Sequence, residues 1–213
     1  MRQQVEKSIR YCRRNESMEL ICYRDSLLAY PLHTHAVHVT FGYVTDGCVR
    51  IIERDGEHLY RAGDTFCIPS DTPHSLAPGN GRPYSMIVLC VRIAEAATAE
   101  KTNADYAYQL KRAILQMPEA AVSIEAMARS VCVSPYHMIR VFKNTCGLTP
   151  HQFQMQCRIR KAQKLLEEGK SVIQAAYEAG FCDQSHLDRC FRKMVRLTPS
   201  AYKQMAPSNR APE

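Results

Sequence analysis

Nowhere in the 213 residues does an apolar run approach the ~20 residues needed to cross a bilayer as a helix, which excludes a helical membrane span. The first residues, MRQQVEKSIRYCRRNE, carry charge where a secretory leader would carry an apolar stretch, so a cytoplasmic protein is expected. The ten cysteines include no C-x-x-C pair and no zinc-ribbon spacing, which speaks against a cysteine-built zinc module. In a reducing compartment the expectation is free thiols used as small packing residues, with Cys67 in TFCIP and Cys190 as examples. A thiol-based sensor using Cys12 or Cys48 is the alternative. Acidic residues are short in only one half of the chain. Residues 101–213 hold 17 Lys and Arg against 9 Asp and Glu, while residues 1–100 hold 11 against 12. Such an asymmetry points to a polyanionic partner for the second half.

The halves also differ in period. Between Pro31 and Val91, HVTFGYV, CVRIIE, EHLY, TFCIP and YSMIVLCV are short runs rich in β-branched and aromatic residues. Asp46-Gly47, Asp55-Gly56, Ala62-Gly63-Asp64 and PGNGRP (78–83) separate them as turns. Short strands joined by Asp-Gly hairpins predict an antiparallel barrel or jelly roll. Residues 92–104 are small and polar and read as a linker.

Beyond the linker the apolar period becomes helical. Tyr106, Leu110, Ala113, Ile114 and Met117 form one stripe, stopped by Pro118. Ser123 caps a second helix with Ile124, Met127 and Ala128 inward. Ser134-Pro135 and Thr149-Pro150 each set proline in the first helical position behind an N-cap and open two more. The later of these runs toward Gly169 and, at ~1.5 Å per residue, spans about 28 Å. Ser171 opens the next helix and Gly180 closes it; Asp183 caps a helix with the stripe Leu187, Cys190, Phe191 and Met194, and Thr198-Pro199 starts the last.

An internal repeat organises these helices. VSPYHMIRVFKNTCGLTPHQF (133–153) overlies CDQSHLDRCFRKMVRLTPSAY (182–202) at a shift of 49 residues, matching His137 to His186, Arg140 to Arg189, Phe142 to Phe191 and Pro150 to Pro199. Each copy is a short helix, a tight turn and a second helix with cations on its outer face, which is helix-turn-helix organisation. The outer face of the second helix in such a motif enters the DNA major groove. Arg189 suits guanine O6/N7 and Gln184 suits adenine N6/N7. In the first copy Tyr136, Arg140 and Lys143 lie opposite the inward pair Met138 and Phe142, with Ile139 at the margin, within reach of a thymine methyl. A 28 Å connector, the length derived above, suits two helices reaching successive major grooves ~34 Å apart. Within it Arg158, Arg160, Lys161 and Lys164 read as solvated or phosphate-facing.

SIEAMARSVCVSPYHMIRVFKNTCGLTPHQF (123–153) and RIRKAQKLLEEGKSVIQAAYEAGFCDQSHLDRCFRKMVRLTPSAYK (158–203) resemble the two-motif DNA-binding domain of the AraC/XylS family of bacterial transcription regulators. The resemblance implies base- or groove-facing roles for Tyr136, Ile139 and Arg140 in the first motif and for Gln184, Ser185, His186 and Arg189 in the second, with the first motif reading bases more strictly. Arg196 departs from the pattern: the family usually has glycine there, as the first copy has Gly147, and an arginine in a left-handed C-cap costs about 1 kcal/mol. In the first half, HTH (33–35) and GDTFCIPSDTPH (63–74) resemble the two motifs of the family's cupin-type effector domain. In metal-binding cupins two histidines and a glutamate of the first motif join a histidine of the second. His33, His35 and His74 are in place, but the glutamate slot falls near Thr40, with His38 close by. His33, His35, His38 and His74 are therefore assigned to the wall of an organic-effector pocket. No metal or other cofactor is assigned, a metal ion on His33, His35 and His74 being the alternative.

These readings give an α+β chain. Residues 1–91 form a cupin-like β-barrel (jelly roll), 92–104 a linker, 105–206 an all-α domain with two helix-turn-helix motifs joined by a long helix, and 207–213 a tail. The function expected is non-enzymatic: sequence-specific binding to double-stranded promoter DNA under control of a small-molecule effector. The resemblance implies RNA polymerase as a further partner, leaves homodimerisation open and gives no role to a membrane. Two alternatives stand beside it: a metal-dependent cupin enzyme fused to a DNA-binding domain, against which the missing glutamate counts, and a thiol-based redox sensor.

Overall fold

Alternating apolar and polar side chains produce nine strands among the described residues of the first half: β1 (Ile9–Arg14), β2 (Met18–Ser26), β3 (Tyr30–His33), β4 (His38–Asp46), β5 (Cys48–Glu53), β6 (Gly56–Arg61), β7 (Thr65–Ile68), β8 (His74–Pro78) and β9 (Tyr84–Arg92). The computed structural model describes residues 8–14, 17–93 and 105–205; most of the expected linker (94–104) and the expected tail lie outside the described residues. The strands pair antiparallel in two sheets, ordered β1-β2-β9-β4-β7 and β3-β8-β5-β6. Ile21 and Tyr23 of β2, Val44 of β4, Val49 and Ile51 of β5, Phe66 and Ile68 of β7, and Met86 and Val88 of β9 fill the space between them.

Three expectations are corrected. Strand structure begins at Ile9 rather than near Pro31, and β1, β2, β3 and β8 join the five strands expected. Cys67 is exposed, because Phe66 and Ile68 take the inward phase of β7 and the period of two turns the residue between them outward. The turns at Asp46-Gly47, Ala62-Gly63-Asp64 and 78–83 are not hairpins, since each carries the chain from one sheet to the other. Only the turn between β5 and β6 closes a hairpin among those foreseen, with Glu53 opposite Gly56. A sandwich wound this way needs corners, and Gly47 makes one at φ 76°, where a Cβ would stand 2.5 Å from the Pro83 carbonyl oxygen.

The second half holds seven helices among the described residues: α1 (Asp105–Gln116), α2 (Ile124–Ser130), α3 (Pro135–Cys146), α4 (Pro150–Glu167), α5 (Val172–Glu178), α6 (Gln184–Val195) and α7 (Pro199–Met205). Ser123, Ser134, Thr149, Ser171 and Asp183 cap five of them, each side-chain oxygen accepting from the backbone N–H three residues on. Thr149/Gln152 and Ser171/Gln174 are full capping boxes. In α1 the inward residues are Ala107, Leu110 and Ile114; Met117 lies past the last turn and is exposed. The buried side chains sort into two cores. One joins α1 to α3 with Phe153 at the start of α4, and the other joins Ile159, Ala162, Leu165 and Leu166 of α4 to α5, α6 and α7. The long helix is thus shared, and at 18 residues it spans about 27 Å. No described helix is long and apolar enough to cross a membrane.

Candidate DNA-reading face and effector cavity

The repeated helices α3 and α6 bury matching stripes: Met138, Phe142 and Cys146 in one, Leu187, Phe191 and Val195 in the other. That fixes what faces out. Tyr136, Ile139, Arg140 and Lys143 of α3 are exposed, as are Gln184, Ser185 and Arg189 of α6. His186 differs: it is half-buried, its ring stands edge-on to Phe181 at 5.3 Å, and its Nδ1 lies 3.2 Å from the Cys182 thiol. Arg140 reaches only His137, at 3.4 Å, and neither it nor Arg189 joins an ion pair among the described residues.

Most of the cations of α4, expected to be solvated or phosphate-facing, are engaged by protein instead. Arg158 donates to the Pro118 and Glu119 carbonyls at 2.8 and 3.3 Å, and Lys161 pairs with Glu119 at 2.8 Å. Arg160 turns the other way, donating to Glu19 Oε2 at 3.0 Å and to His35 Nδ1 at 3.1 Å. Only Lys164 stays exposed. The cause is position: α4 runs between the 118–119 loop and the barrel, so most of its polar side chains meet protein before solvent.

The barrel touches both helix-turn-helix units at equivalent corners. The C-caps of α3 and α6, Gly147 and Arg196, are both left-handed, at φ 73° and 66°. A Cβ at Gly147 would stand 2.0 Å from Pro73 Cγ, so the close approach of the barrel demands glycine there. The Arg196 guanidinium stands 5.9 Å over the Tyr30 ring. This contact gives a reason for the arginine that the sequence comparison of the two copies left unexplained. Tyr11 against Tyr202 and Lys111 with Asp71 complete the docking.

Beneath this junction lies a cavity of about 150 Å³, lined by both halves of the chain. Its floor is apolar, including Ile21, Phe66, Ile68 and Val88; its roof includes Gln156, Arg160 and Gln163 of α4. His33, His35 and His74 all line it, with ring centroids 4.2 to 5.2 Å apart. His33 ends β3 and His74 opens β8, and the two are paired across the sheet. His35 lies past β3, in the following loop, rather than two residues along the same strand. His38 opens β4 and lines an outer cleft that adjoins the cavity and shares Glu19, His35 and Arg160 with it; of the four histidines only His33, His35 and His74 draw their ring nitrogens together. Thr40 lines the cavity where a cupin carboxylate was sought. The carboxylate present there is Glu19 of β2, buried and missed because the reading of strands began after it.

Burial holds all three imidazoles neutral. His33 is pushed down to about 3 by desolvation and by the nearby His74; His35 lies well below its ordinary value, and His74 is lowered for the same first reason. The unfolded chain has histidines near 6.5. As pH falls below that value the unfolded state takes up protons that the folded state refuses, so stability is present above about 6.5 and is lost below it. In chelator-containing buffer, thermal unfolding should shift steadily down from pH 7 to pH 5, by up to roughly 1.4 kcal/mol per pH unit per histidine. His33→Gln should flatten that slope, and a pH-independent midpoint in the parent protein would contradict the assignment. The Cys12 and Cys22 thiols lie 3.1 Å apart across the β1–β2 hairpin, but burial raises the Cys22 pKa, which disfavours the reactive thiolate.

A family model for an AraC-like ligand binding domain matches residues 17–134, and one for a helix-turn-helix domain matches residues 127–205. The bifunctional transcriptional activator/DNA repair enzyme Ada of Escherichia coli is 33% identical over 159 residues, 70% of this chain and 45% of its own. The regulator MtrA of Neisseria gonorrhoeae is 26% identical over 133 residues, 58% of this chain and 44% of its own. The chain thus spans less than half the length of these curated relatives. Among solved structures, ToxT of Vibrio cholerae in its unsaturated fatty acid-bound form superposes with a TM-score of 0.60 at 11% identity, covering 94% of this chain and 99% of that one, a likeness of fold. Since the ligand-binding model alone covers more than half of the sequence, the chain belongs to the AraC/XylS family of transcription regulators.

Proposed function

We propose that this chain is a one-component regulator, not an enzyme, that reads duplex promoter DNA with α3 and α6. A small ligand in the cavity between barrel and α4 governs how the two halves dock. The observation that carries this reading is the division of cations: those of α4 are largely engaged by protein, while Arg140, Lys143 and Arg189 stand out on the repeated helices. On α3 the reading set is Tyr136, Ile139, Arg140 and Lys143. On α6 it is Gln184, Ser185 and Arg189, with His186 supporting the first turn through its contacts with Phe181 and Cys182. His33, His35 and His74 are the polar end of the effector site, and His38 stands outside it. Two reading helices in one chain suffice for two successive grooves, so a second copy is a partner only at a repeated operator. Bound there, in the cytoplasm, the protein acts on RNA polymerase.

Fluorescence anisotropy on a duplex selected from a random pool tests the reading. Affinity should fall at least about a hundredfold between roughly 50 and 200 mM salt, because each phosphate contact releases counterions. Binding that ignores salt over that range, or a pool that yields no preferred duplex, would refute it.

A further inference from the structure

Two of the ten cysteines put their sulfurs in contact: Cys12 Sγ stands 3.1 Å from Cys22 Sγ across the β1–β2 hairpin. Regular pairing would not bring them together. Arg10 lies opposite Cys22 and Tyr11 opposite Ile21, but Arg13 lies opposite Leu20. The register thus shifts by one residue, and Cys12 is the extra residue of a β-bulge. A bulge re-aims a side chain, and this one turns the Cys12 thiol toward Cys22. Packing does not account for the pair. Cys90 and Cys146 are buried in the cores, whereas Cys12 is exposed and Cys22 is half-buried, out of phase with the inward Ile21 and Tyr23. Both sulfurs are therefore within reach of a small solute.

Unequal exposure divides the work of this dithiol. Cys22 keeps its proton: burial and the contact with Cys12 push its pKa up, against the pull of Arg10 and Arg24. Cys12 is the sulfur that a dissolved oxidant meets first. Its thiolate attacks one oxygen of a hydroperoxide. The S–O bond forms, the O–O bond breaks, and an alcohol, or water from hydrogen peroxide, leaves with the proton that Cys12 gave up. Cys22 then attacks the sulfur of that sulfenic acid. The S–S bond forms, the S–O bond breaks, and water carries away the Cys22 proton. Two equivalents of a small thiol reverse the link by exchange. Location gives the bond a consequence. Among the described residues β1 is an edge strand, held in its sheet by β2. Tyr11, the residue before Cys12, lines the effector cavity and stands edge-on to Tyr202 of α7 at 5.2 Å. Tyr202 in turn meets Phe191 of α6 at 5.4 Å. We propose that Cys12 and Cys22 are a modification site for hydroperoxides, whose disulfide fastens β1 to β2 and with it the Tyr11 contact between the barrel and the second helix-turn-helix unit.

The test uses the full chain, reduced and then exposed to hydrogen peroxide. Peptide mapping without reductant should find Cys12 joined to Cys22 within one chain, and dithiothreitol should restore both thiols. Cys67→Ser, which removes an exposed thiol of the same sheet, should leave that link intact. Cys22→Ser should stop at a sulfenic acid on Cys12 that dimedone traps, and Cys12→Ser should give neither product. Hydrogen exchange on the oxidised and reduced parent reads the consequence without a substitution. Amides of β1 and α7 should exchange about tenfold or more slower after oxidation, and those of α2 and α3 should not change. Failure of the Cys12–Cys22 link to form, or links that join other cysteines first, overturns the site. A link that forms and leaves α7 exchange unchanged overturns the coupling to the second unit. Both readouts concern the chain alone, so neither moves with the selected-duplex experiment, whose own failure would remove the regulator reading.

Discussion

Replacing Arg140 with alanine should weaken binding to a selected duplex by about 1–3 kcal/mol, roughly 5- to 150-fold, and relax base preference at one position. The guanidinium is exposed on α3 and, among the described residues, held only by His137 at 3.4 Å, so little has to be broken before it meets a base edge. Arg189 on α6 is the equivalent residue of the repeat and should behave likewise. The neighbouring cations give the controls. Arg192 is tied to Asp188 and Lys161 to Glu119, so alanine at either should change affinity little and alike on all sequences. Competition between selected and random duplex separates the outcomes. If Arg140→Ala and Arg189→Ala lose equally on both, these arginines contact phosphate and the assignment of α3 and α6 as base readers is wrong.

The helical half was legible because its signals are local. Ser134-Pro135, Thr149-Pro150 and Asp183 announce helix starts within four residues, and the 49-residue repeat places Gly147 and Arg196 at the same left-handed corner. Strand signals are weaker, since β2 is held in its sheet by β9, with Met18 opposite Val91, and β1 is a strand only because β2 is there to pair with it. Turns deceived for a related reason: Asp46-Gly47 specifies a bend but not which sheet receives the chain. Histidines 33, 35 and 74 were found through the resemblance of their segments to the cupin motifs, whereas Glu19 was not, because a buried carboxylate is explained by a partner that the local sequence does not show. That partner is Arg160, 141 residues on and across the junction of the two halves. The long helix misled in the same way, its arginines and lysines reading as solvated until the loops packed against them are known.

The two helix-turn-helix units should also come apart separately. Phe142 and Phe191 are equivalent in the repeat, both are wholly buried, and truncation of either to alanine is expected to cost about 3–5 kcal/mol. Phe142 stands edge-on to Phe153 at 5.7 Å in the core of α1–α3; Phe191 meets Tyr202 at 5.4 Å in the core of α5–α7. Among the described residues none belongs to both cores, so the losses should be additive and local. Native-state hydrogen exchange is the measurement. Phe142→Ala should strip protection from α2 and α3 while α5 and α6 keep theirs, and Phe191→Ala should do the reverse. Loss of protection throughout the helical half from either substitution would mean that α4 couples the units into one cooperative body. With independent units, Phe142→Ala should abolish recognition at the α3 groove and leave α6 with weak, salt-sensitive affinity. The barrel would then have a lever of its own on each unit, Pro73 at Gly147 on the first and Tyr30 at Arg196 on the second.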